Sequence, residues 1–440
     1  MPLVNHCYGN YYSGKSAFAA GIQVTYDVGA RCTCSDGSTT LTAPDTSGKH
    51  TFIVPHDGTW TVTVVSNSFT ETQNVNIRYD CEYKSISLSL FKPKAYGIKR
   101  DTSKSASAWE RTDSAVGKNV TATVGGAAGS SDFDNCYPWS EITRVTLPTG
   151  DVMVKIPKFW YRRYRTTQSV EHIIIADKPM DEFTLHPAFD RGGEIKDYIY
   201  VGAYKTSGGI KSVSGASPLV SPTRDNFRSN AMSKGKGWHI TDISTLSAIQ
   251  MLILVEFADY NVQKVIGRGY CDGNTSSIQT GTCDNVSGLT GRPSGTDGKV
   301  DVVWRGIEGL WGNVYELIDG INWSDAIYYV CNDPSKYKDD TFINYADLSS
   351  EGSTSWNGAY ITMESLNDSN SHVMVPTSAS SSGSETTNMC DTCYGGTGWR
   401  IMQHGGDWQS ASEAGLFAAA FDEASTFQST NNGCRLLYIP

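Results

Sequence analysis

The chain has 440 residues, with 36 Lys and Arg against 46 Asp and Glu, and its formal net charge of -10 repels nucleic-acid phosphate unless a concentrated basic face outweighs that field. Charged residues make up only 19%, glycine is abundant at 43, and the apolar runs are short, which favours many short strands and long loops over a helical bundle. The length exceeds what one core ordinarily serves, so two or three domains are expected, in a mainly β fold with few helices (α+β).

The N-terminus, MPLVNHCYGN, lacks a basic leader followed by an apolar stretch, and no run of about 18 apolar residues occurs anywhere. The expectation is synthesis in a cytoplasm without membrane insertion. Within residues 1–20, GNYYSGKS at 9–16 satisfies the phosphate-binding pattern GxxxxGK[ST]. That pattern needs a buried strand before it and a long helix after it; only Leu3 and Val4 precede, and Gly21 interrupts the short SAFAA stretch. Nucleotide binding is therefore not expected.

Residues 21–93 alternate apolar and polar positions at period two, broken by DG, SG and DG turns, as a half-buried antiparallel sandwich requires. Phe52 and Val54 share one face, and Trp60, Val62 and Val64 share another after the Asp57-Gly58 turn. The pattern resembles small immunoglobulin-like or carboxypeptidase-regulatory-like modules, which implies a spacer or attachment unit. Phe91-Lys92-Pro93 ends the alternation, and a second domain is placed at 95–440.

In that second domain the segment 155–165 (KIPKFWYRRYR) is the most basic stretch, and its alternation predicts a strand with its cations on a solvated face. One helix is expected at 244–260 (STLSAIQMLILVEFADY), with Leu246, Ile249, Ile253 and Phe257 on one face and Asp242 or Ser244 as the cap. Glu256, which ends the MLILVE string inside this helix, is expected at the surface. The Ser/Thr-rich stretch 377–388 lacks apolar residues and predicts an exposed loop.

The 11 scattered cysteines predict mostly reduced thiols, and the single CxxC at Cys390 and Cys393 lacks the further ligands a structural zinc needs. No GxSxG, HExxH or calcium-loop pattern occurs, and histidines such as His186 and His239 are expected to be structural. No cofactor or metal is expected.

Two strings near the C-terminus carry the most specific pattern: residues 309–323 (GLWGNVYELIDGINW) and 405–440, which opens GGDW and ends GCRLLYIP. They resemble the formylglycine-generating-enzyme-like branch of the C-type lectin fold. A GNVWEW-like string is matched by Gly312, Asn313, Val314, Tyr315, Glu316 and Leu317. A GGSW string is matched by Gly405, Gly406, Asp407 and Trp408, and a GFR string by Gly433, Cys434 and Arg435; IPKFWYRRY at 156–164 resembles the family's early strand. Trp311, Gly312, Asn313, Gly405, Gly406, Trp408, Gly415, Phe417, Gly433 and Arg435 read as scaffold, the glycines for close backbone approach and the aromatics for buried area.

Cysteine-oxidising members of this branch depend on a thiolate pair shortly after the GGS string, and residues 405–432 contain no cysteine, so that chemistry is rejected. Calcium-dependent sugar binding is not predicted either, because the EPN, QPD and WND strings are absent. With GLF at Gly415, Leu416 and Phe417, the tail is similar to the variable proteins of diversity-generating retroelements, including phage tropism determinants.

That resemblance implies a non-enzymatic receptor-binding protein of a phage tail or fibre, located in the virion, with 399–440 as its variable region. It implies a host-surface protein or glycan as ligand, other tail proteins as partners and a homotrimer by analogy. Asp407, Gln409, Ser410, Ser412, Ala418, Ala420, Asp422 and Glu423 are the candidate ligand contacts, and their lack of any amphipathic period predicts an exposed irregular surface. A structural tail component without a host ligand and an enzyme on the same fold are the alternatives.

Overall fold

A computed structural model describes residues 20–66, 69–78, 82–88, 93–104, 106–382 and 390–440; the GNYYSGKS string lies outside them. The chain divides into two compact units, Met1–Lys94 and Ala95–Pro440. The described residues are mainly strands, with three α-helices among them.

In the first unit, strands Lys49–Val54, Ala20–Tyr26 and Tyr83–Leu88 form one sheet in that order, antiparallel and then parallel. Strands Thr40–Thr42, Arg31–Ser35, Gly58–Ser66 and Phe69–Ile77 form a second, wholly antiparallel sheet. The period-two alternation sends Phe52 and Val54 from the first sheet, and Trp60, Val62 and Val64 from the second, into one shared core with Ile22 and Val24. Each such side chain contributes about 1.5–3 kcal/mol on burial.

The second unit is organised around α2 (Ile243–Phe257), preceded by α1 (Arg224–Met232) and followed by the single turn α3 (Val262–Val265). Asp242 caps α2 by accepting from the Thr245 amide at 2.8 Å, and Ala258 ends it in the left-handed conformation at φ 54°. A helix apolar on every side must be enclosed, and residues 243–256 are all buried. The expected surface position of Glu256 is therefore wrong. Its carboxylate is fully buried, paired with Arg305 at 2.6 Å, and accepts from Trp304 Nε1 at 2.9 Å and Ser131 Oγ at 2.8 Å. These partners supply what desolvation removes.

Three larger sheets surround this helix. One runs Thr143–Thr146, Val152–Pro157, Tyr198–Lys205, Arg435–Tyr438, Trp238–Ile240; another runs Thr184–Leu185, Trp160–Arg165, Val170–Ala176, Ala95–Asp101, Glu110–Asp113. The third orders Ala346–Glu351, Ile327–Val330, Tyr315–Ser324, Trp399–His404, Ala419–Phe421, Thr392–Gly395, Ala359–Glu364 and Pro376–Ser380, with Asn432–Gly433 pairing alongside Tyr315–Ser324.

Two further expectations are corrected. The basic stretch spans two strands, and its cations are not all solvated: the Arg163 side chain is fully buried, 2.6 Å from Glu171. Trp160–Arg165 has a neighbour on each side, and the carbonyls of Ser371 and Val373 lie across Arg163 and accept from it at 3.3 and 3.1 Å. Pro376–Ser380, expected as loop, is a half-buried strand; Thr362 and Ser378 satisfy each other across it at 2.9 Å, which compensates for the missing apolar residues. Residues 383–388 of that stretch are outside the described ones.

Candidate functional site

The three C-terminal strings meet in space. Gly312 and Asn313 both have positive φ, 76° and 64°, and turn the chain into strand Tyr315–Ser324. A Cβ at Gly312 would stand 2.9 Å from the Tyr270 amide nitrogen, which accounts for the glycine. Asn313 is tied down by both ends of its amide, accepting from the Ile278 amide at 3.0 Å and donating to the Ile278 carbonyl at 3.2 Å.

Strand Trp399–His404 runs antiparallel beside it, and Asn432–Gly433 runs parallel on the other edge. The glycine pair follows directly: the Gly405 carbonyl accepts from the Gly312 amide at 3.1 Å, and the Trp408 amide donates to the Asn313 carbonyl at 3.1 Å. Gly405 and Gly406 hold φ of 90° and 81°, and Gly415 lies against the Asp391 carboxylate with no room for a Cβ. Phe417 is buried, its ring 5.1 Å from that of Tyr260, and Trp311 is fully buried.

At the junction Arg435 forks onto Glu316, with Nη2 to Oε1 at 2.6 Å and Nε to Oε1 at 3.0 Å; Lys205 Nζ reaches the same oxygen at 3.0 Å. The remaining Arg435 donors go to the carbonyls of Gly202, Glu308 and Gly309 at 2.9, 2.7 and 3.1 Å. Burial would raise the Glu316 carboxyl, but the Arg435 and Lys205 charges overcome it and hold it at about 2. These groups are saturated by one another and turned inward, so they work as scaffold.

The strand ladder sorts the intervening residues onto two faces. Ala419 and Phe421 point into a core with Trp323 and Tyr328, so Ala418 and Ala420 point the other way. On that outer face Ala420 is flanked by Tyr394 on one neighbouring strand and Gln403 on the other. Three tyrosines hold the turn Ala411–Glu413 and its leading residue above this face. Tyr394 donates to Glu413 at 2.8 Å, the Tyr360 and Ser412 hydroxyls are 3.3 Å apart, and those of Tyr315 and Ser410 are 3.5 Å apart. Burial pushes the Tyr315 hydroxyl up to about 12; the Ser410 contact opposes this, and the charges of Asp407, Asp422 and Glu413 reinforce it.

The eight expected contact residues thus fall into different environments. Gln409 and Asp422 are exposed, and Ser410, Ser412 and Glu423 are half-buried. Asp407 is buried, in contrast to the exposed surface expected of it. It accepts from the Gln409 amide and Ser410 Oγ, both at 2.9 Å, and from Asn431 Nδ2 at 2.7 Å, so it shapes the turn. Ala418 and Ala420 are also buried, in contrast to the exposed surface expected of them, because their short side chains sit below longer neighbours such as the Tyr394 and Gln403 that flank Ala420; they form the floor of the face.

Sequence reasoning named Tyr315 only within the GNVWEW-like string and did not select Tyr360 and Tyr394; the three are distant in sequence and gathered only by the sheet. It also passed over Tyr329, Phe342 and Trp399, whose ring centroids lie 5.7 to 6.4 Å apart, with Phe342 60% exposed. The loop that carries Phe342 is tied to the C-terminal segment by Ser425 Oγ, which donates to Asp340 at 2.6 Å. A separate open cleft of about 550 Å³ is lined by Asp190, Asn332, Asp333 and Asn344 among others, and by none of the motif residues.

No family model matches the chain, and no curated protein sequence does. Among solved structures, the U1 and M1 variants of a Major Tropism Determinant match at 10% and 11% identity. Each match covers 87% of this chain and 81% of the other, with TM-scores of 0.24 and 0.26. A likeness this loose matches no individual residue of the site to one of theirs.

Proposed function

We propose that the chain is a non-enzymatic receptor-binding protein of a phage tail or fibre, with a C-type-lectin-like second domain that meets a host-surface protein or glycan through the outer face around residues 409–423. One observation carries this reading. Both ends of the C-terminal segment are fixed by inward-facing scaffold, Gly405 to Gly312 and Arg435 to Glu316, while Gln409, Ser410, Ser412, Asp422 and Glu423 between them remain accessible on the other side. A fixed frame around a displayed segment lets contact residues change without disturbing the fold.

The face combines tyrosine hydroxyls and rings with small and acidic side chains, a composition suited to non-covalent recognition. The first domain serves as the attachment unit to other tail proteins, and a homotrimer would multiply weak contacts into avidity. The test is titration of labelled full-length chain onto a panel of bacterial cells. Saturable binding to some strains and not to others supports the reading. Binding to none of them, with retained binding to purified tail proteins, favours a structural tail component.

A further inference from the structure

The buried Arg163 belongs to a wider cluster of buried charged side chains. Arg165 pairs in register with Glu171, and Glu171 with Arg100, so the three side chains line one face across three adjacent strands; Arg163, two residues before Arg165, shares that face. Glu364, from strand Ala359–Glu364, reaches in from the side, its Oε2 3.7 Å from Arg163 Nη2. Tyr260 lies beneath, with the Arg100 guanidinium carbon 4.7 Å from its ring centre.

Arg100, Arg163, Glu171 and Glu364 are each at most 5% exposed. Arg163 Nε is satisfied by Glu171 at 2.6 Å, and Arg165 Nη2 by the Glu364 carbonyl at 3.3 Å. Among the described residues, however, Arg100 Nε, Arg100 Nη2, Arg163 Nη2, Arg165 Nε and Glu364 Oε2 are buried without a hydrogen-bond partner.

Leaving one buried polar group unsatisfied costs about 1–3 kcal/mol, and more for a charged one, so four unpartnered guanidinium nitrogens in one cluster demand an acceptor. Three guanidinium groups face two carboxylates there, a surplus of at least one positive charge. A water molecule offers two lone pairs and no charge. A spherical anion accepts from every direction and cancels the surplus.

We propose that this cluster binds a small monovalent anion of chloride size, held by the unpartnered N–H groups of Arg100, Arg163 and Arg165. Arg165, 22% exposed along its side chain, provides the way in. Glu364 competes with the anion as a charge and assists it when protonated. Burial pushes the Glu364 carboxyl up to about 8, with the facing Arg163, Arg100 and Arg165 opposing and Glu171 reinforcing. The anion would lock strand Ala359–Glu364, whose Tyr360 meets Ser412 in the displayed turn, to the three-strand layer holding the arginines.

The test uses the full chain in two measurements. In crystals grown with bromide replacing chloride, an anomalous peak is expected within hydrogen-bond distance of Arg100 Nε and Arg163 Nη2; density for water alone, without that peak, overturns the proposal. In solution, the thermal midpoint is compared in sodium chloride and sodium gluconate at equal ionic strength. Chloride is expected to raise it by at least about 2 °C. Arg100→Met should abolish that increment, and at pH 9, where the Glu364 carboxyl is charged, Glu364→Gln should enlarge it. Equal midpoints in the two salts, or an increment kept by Arg100→Met and lost in Glu364→Gln, contradict the site. Should Arg100→Met fail to fold, the bromide map and the wild-type salt comparison still decide.

Discussion

Arg435 and Glu316, 119 residues apart in sequence, close a fully buried fork with Nη2 2.6 Å from Oε1, and this contact joins the last described strand to an interior strand of the largest described sheet. Truncating one partner leaves the other charge stranded in the interior. Arg435→Met is expected to cost about 3–5 kcal/mol in urea unfolding, whereas Arg435→Met with Glu316→Leu should lose less than the sum of the two single variants. Additive losses would mean that the two side chains stabilise the fold independently.

The glycine pair after strand Trp399–His404 sets the geometry of the same junction. A Cβ at Gly405 would stand 2.8 Å from the Leu310 carbonyl oxygen, at a φ of 90°. Gly405→Ala is expected to lower stability by roughly 2–3 kcal/mol through strain and contact together. A thermal midpoint equal to that of wild type would show that the turn relaxes freely.

Acid sensitivity should trace in part to His404, beside the fork. Burial lowers its imidazole to about 4, opposed by the Glu316 charge and the contact of Nε2 with the Leu416 carbonyl at 2.8 Å, so the folded ring is neutral where the unfolded one is protonated. Its contribution is present above the unfolded value near pH 6.5 and is lost as pH falls toward 4, worth roughly 2 kcal/mol between pH 7 and pH 5. His404→Gln keeps a donor for Leu416 and should flatten that part of the stability profile. An unchanged slope would assign the acid sensitivity elsewhere.

The Tyr394 hydroxyl donates to Glu413 at 2.8 Å and steadies the displayed turn without touching the inward scaffold. Tyr394→Phe should cost about 1 kcal/mol locally, read as roughly five-fold faster amide exchange across residues 410–414, with the global midpoint nearly unchanged. Exchange unchanged in that turn would place its restraint in the backbone.

Some of this architecture is legible in the sequence because its signal is local. Trp60, Val62 and Val64 alternate within five residues, Asp242 stands where a cap is needed, and the glycine pairs mark turns that no other residue fits. What is not legible depends on distant partners. Glu256 and Arg163 look like solvated charges until Arg305 and Glu171 are brought to them. Ala418 and Ala420 carry no sign of which face they take, and Tyr315, Tyr360 and Tyr394 become one group only through the order of their strands.

The measurement that tests the recognition face most directly is equilibrium binding to a cell strain that takes up the chain saturably, comparing wild type with Gln409→Arg, Ser412→Arg and Asp422→Arg combined. None of the three takes part in the inward scaffold, and only the Ser412 hydroxyl contact with Tyr360 is lost, so the variant should unfold within about 2 °C of wild type. Binding reduced at least about 100-fold in that folded variant is the predicted result. Undiminished binding by the folded variant would contradict the assignment and move the receptor site off this face.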